Sequence, residues 1–233
     1  MKRIIYLFIL FFAYCLPAQA WQGVVVHISD SDHMTPAECN TWHKARGWDS
    51  CGYNYVIEPD GVVYEARGNK RGAHTKGYNS KYLGICFVSK NKANPAQLET
   101  FHNLVHQYEL ENLPIYPHAN FANKECGIEL AKQLGLWKVT AYCSCKKCNG
   151  KFKGQTASGI NPNAQTVACN ILPLGTSVSI DGKNYVVQDR GSKKHFDNQK
   201  HIDLWMPSHK QALDFGEKWF EVSTPTAVAS VRG

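Results

Sequence analysis

Two imidazoles and a thiol, far apart along the chain, are the side chains best suited to chemistry. The stretch His118-Ala-Asn-Phe-Ala-Asn-Lys124-Glu-Cys126 places an imidazole, an ammonium and a thiol just ahead of a short helical pattern, and His27 ends the apolar run Val24-Val25-Val26. Two neutral imidazoles and one thiolate are borderline-soft donors that suit Zn2+, and three protein ligands leave a fourth position open for catalysis. Water at such a metal ionises near neutral pH and can attack an amide carbonyl. The attack needs a donor for the developing oxyanion, and Lys124 stands two residues from Cys126. It also needs a group to orient or deprotonate water, for which Tyr53 is the candidate. From spacing alone, a structural role for these histidines and cysteines stays open. His102 and His106 form an i, i+4 pair but lack the glutamate of a zincin helix, which favours a solvated face.

The elements that must position these residues are legible upstream and downstream of them. Gly23 to Ile28 reads as a buried strand ending at His27. Thr35-Pro36-Ala37-Glu38 is a helix start with a capping box, and the helix carries Trp42 inward and stops near Gly47. Tyr53 to Glu58 and Val62 to Ala66 flank the hairpin signal Pro59-Asp60-Gly61. Tyr82 to Val88 is a further strand, with Cys86 as a buried thiol. Asn94-Pro95-Ala96-Gln97 repeats the cap, and Leu98, Phe101, Leu104, Val105 and Tyr108 follow at helical spacing. Pro114 breaks the chain before a short Ile115-Tyr116 strand, which leads to His118. A last helix runs from about Gly127 to Leu134 and stops at Gly135.

After Trp137 the texture changes. Lys138 to Tyr142, Thr176 to Ile180, Tyr185 to Gln188 and Ile202 to Met206 read as strands between Gly, Asn and Pro turns, with one helix over Pro207 to Phe215. No Ser- or Pro-rich linker separates the halves. Cys143, Cys145 and Cys148 offer three thiolates, with Cys169 as a fourth; two disulfides are the alternative.

The N-terminus bounds the compartment. Lys2 and Arg3, an apolar run from Ile4 to Leu16 and Ala18-Gln19-Ala20 form an export leader. The run is shorter than the roughly 18 residues of a membrane span, so no integral span is expected after cleavage. The chain is expected to be exported, periplasmic or secreted, and disulfides are then permitted; Cys39 with Cys51 is the preferred bridge. The formal charge of +7 on 233 residues suits an anionic partner such as cell wall, and no Lys/Arg block is dense enough for nucleic acid. The expected division is a leader at 1–20 and domains at 21–136 and 137–233.

Resemblance adds to this. Gly52-Tyr53-Asn54-Tyr55 with Pro59-Asp60-Gly61, Ala73-His74-Thr75-Lys76-Gly77-Tyr78-Asn79, Leu83-Gly84-Ile85, His27-Ile-Ser29 and His118…Lys124-x-Cys126 resemble the phage-lysozyme-type N-acetylmuramoyl-L-alanine amidases. Peptidoglycan recognition proteins share that fold. The resemblance spans Trp21 to Leu136 and implies α+β architecture, a mixed central sheet flanked by helices. It implies His27, His118 and Cys126 as zinc ligands, Tyr53 and Lys124 as catalytic helpers, and His74 in the substrate-side loop. The implied partner is bacterial peptidoglycan, and the implied bond joins the lactyl group of N-acetylmuramic acid to L-alanine. Presence of the full set argues against the zinc-free, binding-only relatives.

In the second half, Thr140-Ala-Tyr-Cys143, Gln155-Thr156-Ala157-Ser158-Gly159, Leu172-Pro173-Leu174-Gly175-Thr176, Gln188-Asp189-Arg190-Gly191 and His201-Ile202-Asp203-Leu204 resemble the three-aspartate domain and the rare-lipoprotein-A-like double-psi β-barrels. Relatives include lytic transglycosylases, which cleave glycan strands. Glycan cleavage needs an acid beside the glycosidic oxygen; Asp189 is the candidate, with Asp203 as its partner. Otherwise Asp189 caps a turn beside Arg190 and Gly191. Cys169-Asn170 stands where the first family aspartate belongs, and the histidine common in barrel relatives is missing, so cleavage and wall binding are both expected readings.

Overall fold

Strand β1 (Gly23–Ile28) is apolar at five of its positions and buried along almost its whole length, as a strand covered on both faces must be. It pairs in parallel with β4 (Tyr82–Phe87) on one side and β5 (Ile115–Pro117) on the other. Next to β4 come β2 (Tyr55–Ile57), also parallel, and β3 (Val63–Glu65), antiparallel. The result is a five-stranded mixed sheet of order β3-β2-β4-β1-β5. The hairpin turn forms at Pro59-Asp60-Gly61: Gly61 takes a φ of 86° and Asp60 Oδ1 accepts the Val62 N–H at 3.0 Å. The structure is a computed structural model and describes residues 20–122, 125–150, 154–193, 196 and 199–224. The expected leader, apart from Ala20, lies outside those residues, as does Lys124. Among the described residues no helix is long and apolar enough to cross a membrane.

Alternation along β1 separates two cores. Val24 and Val26 pack with Ile57, Ile85, Phe87, Phe101 and Leu104 beneath helix α2 (Pro95–Gln107). On the other face Val56, Cys86 and Val88 meet Met34 and the Cys39–Cys51 disulfide of helix α1 (Pro36–Lys44). Both helices begin with the expected capping boxes, Thr35 with Glu38 and Asn94 with Gln97. Gln97 is fully buried and its amide donates to the carbonyls of Ile57 and Val88 at 3.1 and 3.0 Å, tying α2 to the ends of β2 and β4. His102 and His106 face solvent.

Trp42 is the exception: it is 47% exposed, where the sequence pattern places it inward. The disulfide at Cys39 and the 2.8 Å bond from the Gly52 N–H to His43 Nδ1 fix the rotation of α1. Cys39 and His43, one turn apart, take the inner face, and Trp42 is left outside.

Helix α3 (Ile128–Gln133) ends at Gly135, and the chain enters the second sheet directly at β6 (Trp137–Tyr142). The others are β7 (Thr166–Ala168), β8 (Ser177–Ile180), β9 (Lys183–Asp189), β10 (His201–Trp205), β11 (Lys218–Phe220) and β12 (Val222–Ser223), with helices α4 (Lys146–Asn149) and α5 (His209–Phe215). They form a seven-stranded sheet of order β11-β6-β10-β7-β9-β8-β12, parallel at β6/β10 and β7/β9. β7, β11 and β12 carry no strong sequence signal because each is only two or three residues long.

The sheets interlock. Tyr116 of β5 belongs to the core of the second sheet, and its hydroxyl donates to Asp181 at 2.5 Å. Just beyond β5, Asn120 accepts from the Trp219 N–H at 2.8 Å and donates to the Trp219 carbonyl at 2.7 Å. Asn120→Ala should lower the unfolding free energy by about 1–3 kcal/mol, since two backbone groups lose their partner. Urea denaturation followed by tryptophan fluorescence reads this, and an unchanged midpoint would show that the clamp adds nothing.

Candidate metal centre

Register brings the ligand candidates together. Val26 pairs with Pro117 across β1 and β5, so the next residues, His27 and His118, are neighbours at the ends of adjacent parallel strands. Their ring centroids lie 4.5 Å apart. A single 3-10 turn, His118–Asn120, then redirects the chain. The Ala119 N–H donates to the Cys126 carbonyl at 3.0 Å, and the Ile28 N–H points at Cys126 Sγ at 3.5 Å. Gly127 makes this approach possible: its φ is +84°, and a Cβ there would sit 2.9 Å from the Val26 carbonyl oxygen. The donor atoms of His27, His118 and Cys126 all lie within 4.8 Å of one another. A tetrahedral zinc with bonds of about 2.0–2.3 Å needs donors roughly 3.3–3.8 Å apart, so this set fits the ion with small adjustment.

His74, in the loop ahead of β4, lines the cleft and also contacts His27. It is buried, with its ring over Gly84 and Gly72; a Cβ at either glycine would come within 2.5 Å of the ring. Its Nε2 faces the Tyr82 carbonyl at 3.2 Å, and its Nδ1 faces both Thr75 Oγ1 at 2.8 Å and His27 Nε2 at 3.0 Å. A carbonyl only accepts, so the proton of neutral His74 is on Nε2 and its Nδ1 accepts. His27 then donates through Nε2 and keeps its Nδ1 lone pair for a metal. The Asn79 carboxamide oxygen fastens this loop by accepting the N–H groups of His74 and Thr75 at 2.8 and 2.7 Å.

The electrostatics agree with a ligand role. Burial, then the neighbouring imidazoles of His74, His118 and His43, push His27 well below the usual histidine range. Burial likewise brings His74 down to about 4. Both rings are neutral at physiological pH. The Tyr53 phenol, whose ring lies 5.1 Å from that of His27, is pushed well above its ordinary value by burial, then by the Cys86 and Cys126 thiols. The phenol therefore keeps its proton near neutral pH.

The site opens into a cleft of about 1110 Å³ lined by His27, Tyr53, His74, His118 and Cys126, and by Arg46, Arg71, Lys76 and Lys90. A family model described as N-acetylmuramoyl-L-alanine amidase matches residues 17–129. The endolysin of Enterobacteria phage T3 is 32% identical over 124 residues, covering 47% of this chain and 82% of that protein. The endolysin of Escherichia phage T7 is 31% identical over 122 residues, with 46% and 81% covered. Peptidoglycan-recognition protein SC2 of Drosophila melanogaster is 30% identical over 133 residues, with 49% and 72% covered.

The chain belongs to the N-acetylmuramoyl-L-alanine amidase family.

In this amidase the cleft cations Arg46, Arg71 and Lys90 had no sequence signal, because scattered Arg and Lys are ordinary surface residues until a fold gathers them, and Lys76 stood only as a letter within a motif. Thr75 and Asn79 were visible only as letters within a motif; their work is to hold His74. The family match ends at residue 129, so the second sheet lies beyond it.

There, Asp203, Ala168 and Asp189 stand side by side across β10, β7 and β9. Asp189 accepts from the Tyr142 hydroxyl at 2.7 Å and from the N–H groups of Ala157 and Arg190 at 2.9 and 2.8 Å. Asp203 accepts from Thr140 Oγ1 at 2.9 Å, and burial, then the nearby Asp189 charge, raise it to about 6. Burial thus keeps the Asp203 carboxyl protonated further up the pH scale than an exposed carboxyl. The Arg190 contact is also the turn cap that formed the alternative reading of Asp189.

A pH dependence follows from His74. Its pKa in the fold is about 4 against 6.5 ordinarily, so on acidification the unfolded chain takes up the proton first. The stability contribution is whole above pH 6.5 and is lost between there and about 4. The metal-free protein should unfold at progressively lower urea over that window, and His74→Gln should flatten the slope; an unaltered slope in the variant would contradict the assignment.

Proposed function

We propose that the chain is an exported, zinc-dependent peptidoglycan hydrolase. It cuts the amide between the lactyl group of N-acetylmuramic acid and the L-alanine of the stem peptide. The observation that carries this is the convergence of His27, His118 and Cys126 in a cleft whose lining mixes Arg46, Arg71, Lys76 and Lys90 with Asp30, Glu125 and Glu129. Zinc held by those three would supply Lewis acidity toward the amide carbonyl and activation of water. The remaining work belongs to the chain. His74 holds the tautomer and orientation of His27. Tyr53, kept protonated, donates a hydrogen bond that orients the reacting group, and Lys124 is the cationic donor for the developing oxyanion. Arg46, Arg71 and Lys76 suit the carboxylates of a stem peptide. The endolysin relatives support the wall as the substrate.

We further propose a division into a leader at 1–20, an amidase unit at 21–136 and a second wall-directed unit at 137–233. The parallel strand pairs β6/β10 and β7/β9 are in keeping with a double-psi β-barrel. The raised Asp203 carboxyl beside Asp189 supports glycan cleavage there, with Asp203 as acid and Asp189 as its partner. Wall binding without turnover is the competing reading.

Mass spectrometry of digested sacculi separates these. Free stem peptides are the amidase product. Cys126→Ala should abolish stem release and reduce bound zinc together, and retained activity would refute the ligand assignment. Tyr53→Phe should slow stem release about 10²-fold or more while leaving zinc bound. Anhydro-muramic ends, lost in Asp203→Asn and declining above pH 6 as the Asp203 proton is lost, are the expected signature of the second unit. Sacculi that yield neither product with added zinc would leave only a binding protein.

A further inference from the structure

We propose that Cys143, Cys145, Cys148 and His209 form a second, structural zinc site, which staples helix α5 to the end of strand β6. Their donor atoms all lie within 4.8 Å of one another. His209 Nδ1 is 3.6 Å from Cys145 Sγ and 3.3 Å from Cys148 Sγ. Zinc bonds of about 2.3 Å to sulfur and 2.0–2.1 Å to nitrogen, opened to the tetrahedral angle, place S and N about 3.6 Å apart. Four protein ligands close the coordination shell, which marks a structural centre, whereas His27, His118 and Cys126 leave a position open.

The chain builds this site from independent contacts. Cys143 follows β6 directly and is buried. Cys145 is the N-cap of α4 and Cys148 lies within that helix, so a single turn of chain carries both thiols. On the other side, Trp205 Nε1 donates to Ser144 Oγ at 2.9 Å and the Met206 N–H to the Tyr142 carbonyl at 2.7 Å. These bonds bring the end of β10 to the cysteine loop. Ser208 then caps α5 through the Gln211 N–H at 3.2 Å, and His209 is the first residue of that helix. The imidazole thus reaches the thiols without help from a metal.

The helix also needs an attachment. α5 buries Ala212 and rests Phe215, at its far end, against the core of the second sheet, while Leu213 is 67% exposed. So little apolar burial docks a seven-residue helix weakly, and a metal bond at its first residue supplies what the core does not. Cys169, the fourth thiolate expected from sequence, is instead buried in the core of the second sheet and outside the group. Disulfides are the chemical competitor in an exported chain, yet three thiols cannot all pair among themselves, and none of the three is bridged here whereas Cys39 and Cys51 are.

Metal analysis of the purified full chain, prepared without reductant or chelator, tests the site. Wild type should hold about two zinc ions, and Cys126→Ala and His209→Ala about one each, given one ion per ligand set. Cobalt loaded into the Cys126→Ala protein should show the strong charge-transfer absorption of a multi-thiolate tetrahedral centre. If His209→Ala does not fold, His209→Cys, which restores a fourth soft ligand, should fold and keep the metal. The proposal is overturned if Cys126→Ala protein binds neither zinc nor cobalt, or if His209→Ala leaves its metal content unchanged. Peptide mapping that finds a disulfide among Cys143, Cys145 and Cys148 also overturns it. Failure of the catalytic centre looks different: Cys126→Ala would then leave zinc content unchanged while His209→Ala still lost its ion.

Discussion

Burial of His27 beside other imidazoles, a phenol and a thiol is the constraint on which the first half of this molecule depends. No carboxylate is among the groups that shift its pKa, so the ring must stay neutral, and a neutral buried imidazole needs its nitrogens occupied. His74 takes one. The other is left to whatever sits with His118 and Cys126. To keep His74 in place the fold commits two glycines beneath its ring, a threonine hydroxyl and the Asn79 carboxamide. The candidate ligand His27 is thus supported by residues with no chemistry of their own.

The same economy of parts links the two halves. His118 begins the 3-10 turn that Asn120 ends, and Asn120 grips the backbone of Trp219 in β11. Tyr116, two residues before His118, is buried in the core of the second sheet. The ligand turn is consequently braced from both sides, by β1 of its own sheet and by β11 of the other. A disturbance in the second half has a short path to the first, carried by rigid hydrogen-bonded backbone rather than by loops.

Two titrating pairs show environment assigning roles to identical side chains. Asp189 and Asp203 differ in sequence only by context, yet Asp189 takes three hydrogen-bond donors, while burial, then the nearby Asp189 carboxylate, push Asp203 up to about 6. His27 and His74 are both neutral, but the Tyr82 carbonyl decides which nitrogen of His74 carries its proton and, through it, which nitrogen of His27 is free. Such decisions arise where charges and carbonyls come together in low dielectric.

Several features were determined by sequence alone. Periodicity and capping boxes placed β1, α1, α2 and the Pro59-Asp60-Gly61 turn, since these depend on neighbours within a few residues. The motif letters carried His27, His118 and Cys126 as candidates. Tertiary structure decided the rest. Trp42 faces solvent because a disulfide and the His43 bond set the rotation of its helix. His74 became a support for His27 because Gly72 and Gly84 left room for its ring. The three short strands of the second sheet exist only by pairing. His209, far along the chain from Cys143, Cys145 and Cys148, replaced Cys169 as their partner. Local pattern reports local energy; which distant side chains share a site depends on register and packing, which no stretch of sequence contains by itself.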